Sequence, residues 1–111
     1  MNADDNLILN KIIKLCEAIN FRIEKYSINE ASFVSNDEFQ DMLLMPVFQI
    51  GELANSVSDN LKAEHSEIPW REIVTFRNII AHDYGVVDPM WARNTITIDI
   101  TTLKQQIKNI V

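Results

Sequence analysis

Residues 95–101 read Thr-Ile-Thr-Ile-Asp-Ile-Thr, and how this stretch is taken decides the fold class of the whole chain. Strict alternation of β-branched apolar residues with polar ones is the pattern of a half-buried strand. Yet Ile96, Ile100, Leu103, Ile107 and Ile110 step four, three, four and three positions through the stretch and beyond it, which is one stripe of a helix. No partner strand exists elsewhere, and a lone strand would leave its backbone N–H and C=O groups unpaired. The helical period wins, and with it an all-α fold. This helix also has a marked beginning, with Asp88 as cap and Pro89 at the first helical position.

Working back from Asp88, three more helices can be read. Pro69 opens one as a first-turn residue, and Trp70, Ile73, Val74, Phe76, Ile79 and Ile80 put apolar surface on more than one of its sides, as a central helix requires. It ends near His82–Gly85. Before it, Ser35 with Glu38 fits a capping box, followed by the stripe Phe39, Leu43, Pro46, Ile50, Leu53, Val57 and Leu61. The period continues on both sides of Pro46, so the proline should kink this helix and not end it. Gly51 is a poor helix former, and its presence there points to the close approach of another helix. The polar stretch 59–67 reads as fraying. The first helix carries Ile8, Ile12, Leu15, Ile19, Ile23 and Tyr26, widened by Leu9, Ile13 and Cys16. Residues 27–34 read as a connection.

Composition agrees. A chain of 111 residues with 47% hydrophobic and 23% charged residues suits one globular domain over 1–111, and only two glycines and three prolines leave little material for tight turns. The single cysteine, Cys16, rules out an intrachain disulfide and reads as a small buried residue in a reducing, cytoplasmic setting. The polar start Met-Asn-Ala-Asp-Asp is unlike a signal or transit peptide, and the most apolar run, 42–50, is too short to cross a membrane. The net charge of −6 excludes a general nucleic-acid coat. Its distribution is uneven. Residues 1–70 carry five Lys/Arg against twelve Asp/Glu, whereas residues 71–111 carry five against four. Contact with nucleic-acid phosphates would therefore be local and confined to the C-terminal part.

That part holds the one stretch that suggests chemistry. Residues 77–84 read Arg-Asn-Ile-Ile-Ala-His-Asp-Tyr, followed by Gly85. Arginine neutralises oxyanions and an imidazole moves protons near neutral pH, a combination able to handle a phosphate ester. On an ideal helix Asn78 and His82 share a face, but Arg77 lies about 140° around from His82. Distortion of the last turn, the length of the arginine, or a second copy across a dimer axis would bring them together. On composition alone the plainer reading is favoured: Arg77 pairs with a carboxylate and His82 sits at a helix C-terminus, where a cation is stabilised. Glu52 is open in the same way, as a solvated face residue or a polar neighbour of the site. His65 with Glu64 and Glu67 looks like an exposed loop, and two histidines without a cysteine pair give no zinc spacing. There is no Gly-rich phosphate loop and no nucleophile elbow.

The pattern Arg77-Asn78-x-x-x-His82-x-Tyr84 resembles the signature of HEPN ribonucleases, and the tyrosine two after the histidine is similar to the HepT branch, the toxin half of HepT–MntA toxin–antitoxin pairs. Ile50-Gly51-Glu52 and Pro69-Trp70-Arg71-Glu72-Ile73 resemble landmarks of the same branch in the same order. The resemblance implies an all-α HEPN-type bundle of four to five helices, working as a homodimer whose arginines and histidines line one cleft. It further implies metal-independent RNA cleavage with no cofactor. His82 would be general base toward the ribose 2′-hydroxyl, Arg77 would hold the scissile phosphate, and Asn78 would help position them. Tyr84 would be the acceptor of AMP from an MntA-like nucleotidyltransferase antitoxin. Two readings without catalysis stay open: a helical protein that binds a nucleotide or substrate for such a nucleotidyltransferase, and an all-α dimerisation module.

Overall fold

Residues 1–83 and 88–111 are described by the computed structural model, the side chain of Asp83 excepted. Among them the chain forms six helices and no strand: α1 (Ala3–Lys25), α2 (Glu30–Ser35), α3 (Asp37–Asn55), α4 (Asp59–Glu64), α5 (Trp70–Asp83) and α6 (Pro89–Lys108). The ambiguous stretch lies inside α6. Ile96 and Ile100 are buried while Ile98, which a strand would put on their face, is 67% exposed. The threonines accommodate the helix by turning their hydroxyls onto the preceding turn. Thr97, Thr101 and Thr102 donate to the carbonyls of Arg93, Thr97 and Ile98 at 2.8, 3.3 and 3.2 Å.

Two short helices exceed the sequence reading. α2 occupies part of the expected connection 27–34, nucleated by a reciprocal cap between Asn29 and Ser32 and anchored by the fully buried Phe33. Burial of that side chain is worth about 1.5–3 kcal/mol. α4 replaces the expected fraying, with Ser58 as its cap and Leu61 in the core. The cap of α3 is also one residue later than expected. The Ser35 hydroxyl closes α2 by donating to the Ala31 carbonyl at 3.0 Å, and Asn36 accepts the Phe39 N–H at 3.1 Å instead.

The central helix is α3, which packs against α1, α2, α5 and α6. It runs through Pro46, whose missing N–H would orphan the Met42 carbonyl four residues back. Arg22 of α1 meets that carbonyl through Nη1 at 2.7 Å, so a gap in one helix becomes a tie to its neighbour. Beyond this tie, α1 buries Leu9, Ile12, Ile13, Cys16 and Ile19. Burial pushes the Cys16 thiol up to about 12, far from thiolate reactivity. α1 ends by reversing at Ser27, a non-glycine residue in the left-handed region (φ 49°), where the Ser27 and Ile28 N–H groups donate to the Glu24 and Ile23 carbonyls. At its other end the buried Asp5 carboxylate accepts both the Ser58 N–H (2.9 Å) and the Ser58 hydroxyl (2.5 Å), joining α1 to the cap of α4. These bonds hold the Asp5 carboxyl below its usual range.

α5 is not central. It packs on α3, with Trp70, Phe76 and Ile80 buried, while the Trp70 indole donates to the His65 carbonyl at 3.1 Å. Its second apolar side, with Ile73 and Ile79, faces an open groove of about 490 Å³ between α5 and α6. Trp91 at the start of α6 stacks on Phe76 across the groove, with ring centroids 5.0 Å apart, and remains 45% exposed.

Candidate active site at the α3–α5 contact

Arg77 leaves α5 toward α3, and three successive features of α3 receive it. Its first carbons lie against Gly51. A methyl group there would collide with Arg77 Cβ and sit 2.7 Å from Cγ, so the glycine is the space the arginine occupies. The guanidinium carbon lies 5.4 Å from the centre of the Phe48 ring, a cation–π distance. Glu52 Oε1 then accepts from both Nε and Nη2 of Arg77. Residues 48, 51 and 52 share a face because positions three and four apart meet on a helix.

The fourth contact comes from α5 itself. Asn78 Oδ1 accepts from Arg77 Nη1 at 2.7 Å. Of the sequence-derived site residues, the structure therefore joins Arg77 and Asn78 directly. His82 stands in the last turn of α5, five positions on and about 140° around the axis from Arg77, and is exposed. Tyr84 lies outside the described residues. The carboxylate partner of the plainer reading exists, and it is Glu52. A carboxylate that grips one edge of a guanidinium also orients it, so this pairing does not remove Arg77 from chemistry.

Glu52 was open in sequence as a surface residue or a neighbour of the site; the structure makes it a neighbour. Phe48 was missed. Its only sequence signal is a position three before Gly51, on the same helical face. The α5–α6 groove is lined by Phe76 and Ile79 from this region but not by Arg77, Asn78 or His82. Elsewhere His65 Nδ1 lies 3.4 Å from Glu67. Among the described residues no group of three or more His, Cys, Asp or Glu side chains could hold a metal ion, and no helix is long and apolar enough to cross a membrane.

Residues 11–110 match the family model described as Ribonuclease HepT-like. The chain belongs to the HepT-like ribonuclease family. A protein of Caldanaerobacter subterraneus subsp. tengcongensis whose name marks it as a candidate RNase is 27% identical over 103 residues, covering 93% of this chain and 90% of the relative. A Thermococcus cleftensis protein named "Probable ribonuclease HepT" is 30% identical over 78 residues, 70% of this chain and 71% of that one. A Methanocaldococcus jannaschii protein named as a gamma-glutamylcyclotransferase and candidate RNase is 27% identical over 113 residues, where the whole HepT-like chain spans only 49% of its length. No solved structure gives a significant match.

Proposed function

We propose that this HepT-like protein, acting as one domain over residues 1–111, is a metal-independent endoribonuclease with Arg77 and His82 as its catalytic pair. The observation that carries the reading is the holding of Arg77 by Glu52, Asn78 and Phe48, on a chain of the HepT-like family. An arginine fixed on three sides and partly open to solvent is suited to receiving a phosphodiester.

His82 takes the proton of a ribose 2′-hydroxyl. The freed oxygen attacks the adjacent phosphorus, the 5′-oxygen of the next nucleotide leaves and takes up a proton, and a 2′,3′-cyclic phosphate remains. Arg77 meets the charge that grows on the non-bridging oxygens, and Asn78 fixes its terminal nitrogen. The separation of Arg77 from His82 around α5 supports a homodimer in which two copies of 77–84 face each other and each completes the other's site. The exposed Ile79 and Trp91 beside the groove add apolar surface that a second chain would cover.

The wider reading is a cytoplasmic toxin silenced by a partner nucleotidyltransferase. The Tyr84 hydroxyl would attack the α-phosphorus of ATP, gaining AMP as pyrophosphate leaves. A bulky anion two residues from His82 would block RNA and compete for Arg77.

The test is cleavage of RNA by purified protein in the presence of a chelator. Wild type should cut, and His82→Ala should not. Cleavage that survives His82→Ala would belong to a contaminant and favour a binding role. Co-expression with the nucleotidyltransferase should add AMP to Tyr84, and protection that persists in Tyr84→Phe would refute the modification.

A further inference from the structure

We propose that Glu52 is a positioning residue for the phosphate contact of Arg77, holding one edge of the guanidinium so that its remaining donors face the substrate. The inference rests on the ribonuclease reading. An arginine carries five N–H donors in one rigid plane. Glu52 Oε1 takes the hydrogens of Nε and Nη2 that point the same way along one edge, and Asn78 Oδ1 takes one hydrogen of Nη1. One N–H on each terminal nitrogen lies outside these contacts. A phosphate group can accept such a pair.

Three further facts make Glu52 a built-in holder rather than an incidental surface partner. The Arg77 side chain starts at the only place on α3 where there is no Cβ to obstruct it, Gly51. Phe48, one turn before Glu52, lies 5.4 Å from the guanidinium carbon and limits its tilt. Arg77 keeps about a third of its side chain exposed (31%), so a ligand can reach it without displacing the carboxylate.

The arrangement sets two effects against each other. The hydrogen bonds orient Arg77 before RNA arrives, which favours the chemical step. The negative charge of Glu52 opposes the approaching phosphate, which weakens binding. Positioning and charge can therefore be separated by substitution.

The experiment uses the full chain, metal-free cleavage of a short RNA with one scissile site, and NMR of the Arg77 Nε–H. Glu52→Ala should lower kcat by about 10- to 100-fold without raising KM. Glu52→Gln keeps an oxygen acceptor without charge. It should recover most of that loss and bind a non-cleavable RNA, 2′-deoxy at the scissile ribose, more tightly than wild type. The Nε–H of Arg77 should exchange slowly with solvent in wild type and Glu52→Gln, and rapidly in Glu52→Ala. A structural role alone would lower thermal stability without splitting kcat from KM. Wild-type kcat in Glu52→Ala, or an Nε–H that exchanges as fast in wild type as in Glu52→Ala, overturns the proposal. A wild type that does not cut RNA would sink the ribonuclease reading instead, and the NMR comparison would still decide whether Glu52 holds Arg77.

Discussion

Gly51→Ala tests the packing that seats Arg77, and its sign can be worked out in advance. Inside a helix, replacing glycine by alanine normally stabilises by about 0.8–1.0 kcal/mol. Here the new methyl would collide with Arg77 Cβ and come within 2.7 Å of Cγ, and the Cβ cannot rotate away because it is fixed to the α5 backbone. Overpacking of this kind costs about 1–3 kcal/mol. The net expectation is a destabilisation of roughly 0–2 kcal/mol, together with loss of RNA cleavage as Arg77 is pushed off Glu52. A modest net value alone would not discriminate, so the decisive comparison is the same substitution in an Arg77→Gly background. With Cβ and Cγ gone, the nearest remaining atom is the Arg77 α-carbon at 3.4 Å. Gly51→Ala should then stabilise by about 1 kcal/mol. Urea unfolding at a fixed protein concentration, with unchanged m-values, measures all four corners of the cycle. If Gly51→Ala stabilises the Arg77 chain by the full helical increment, the two side chains do not compete for space and the account of this glycine is wrong.

Three other predictions follow from the ties between helices. The hydrogen bonds from Ser58 hold the Asp5 carboxyl below its ordinary value of 3.8, so its stabilising contribution is present above that pH and is lost as pH falls from there through the lowered folded-state value. The stability difference between wild type and Asp5→Asn should accordingly shrink on acidification below about pH 4, and a difference that grows there would contradict the bonding to Ser58. Ser27→Gly should raise stability by about 1 kcal/mol, because glycine adopts the left-handed conformation of this helix terminus without the Cβ penalty; thermal unfolding that moves down would refute it. Arg22→Leu should cost about 1–3 kcal/mol by leaving the Met42 carbonyl without its donor. It should cost less in a Pro46→Ala background, where an N–H is available four residues on, and equal costs in both backgrounds would show that Arg22 does not serve the proline gap.

Long-period patterns were the legible part of this chain. The stripe of α6 overrode an alternation that looked like a strand, because a helix buries Ile96 and Ile100 and leaves Ile98 outside, as the structure does. What escaped were the six-residue helices α2 and α4, too short to show a period and specified by local caps at Asn29 and Ser58. The Ser35 cap failed for the same local reason, since a serine between two helices can close one as readily as open the next. For the site, the Arg77, Asn78 and His82 cluster was visible because its members are neighbours in sequence. The hold exerted by Glu52 and Phe48 was not, since it joins positions about twenty-five residues apart across a helix contact. Gly51 did announce that contact, but not which side chain would fill the space. Two apolar sides do not make α5 central, because one of them lines the groove and is not packed beneath another helix.

The Phe76–Trp91 stack gives the chain an optical consequence. Its two tryptophans sit in contrasting surroundings: Trp70 is 9% exposed with its indole bonded to the His65 carbonyl, and Trp91 is 45% exposed on the groove. A neutral quencher in solution therefore reaches Trp91 and spares Trp70. Whatever settles on the groove, a second chain or a nucleobase, shields Trp91 and leaves Trp70 unchanged, whereas unfolding opens both to the quencher. The same molecule thus carries separate, label-free reporters for occupancy of its α5–α6 face and for the integrity of its core.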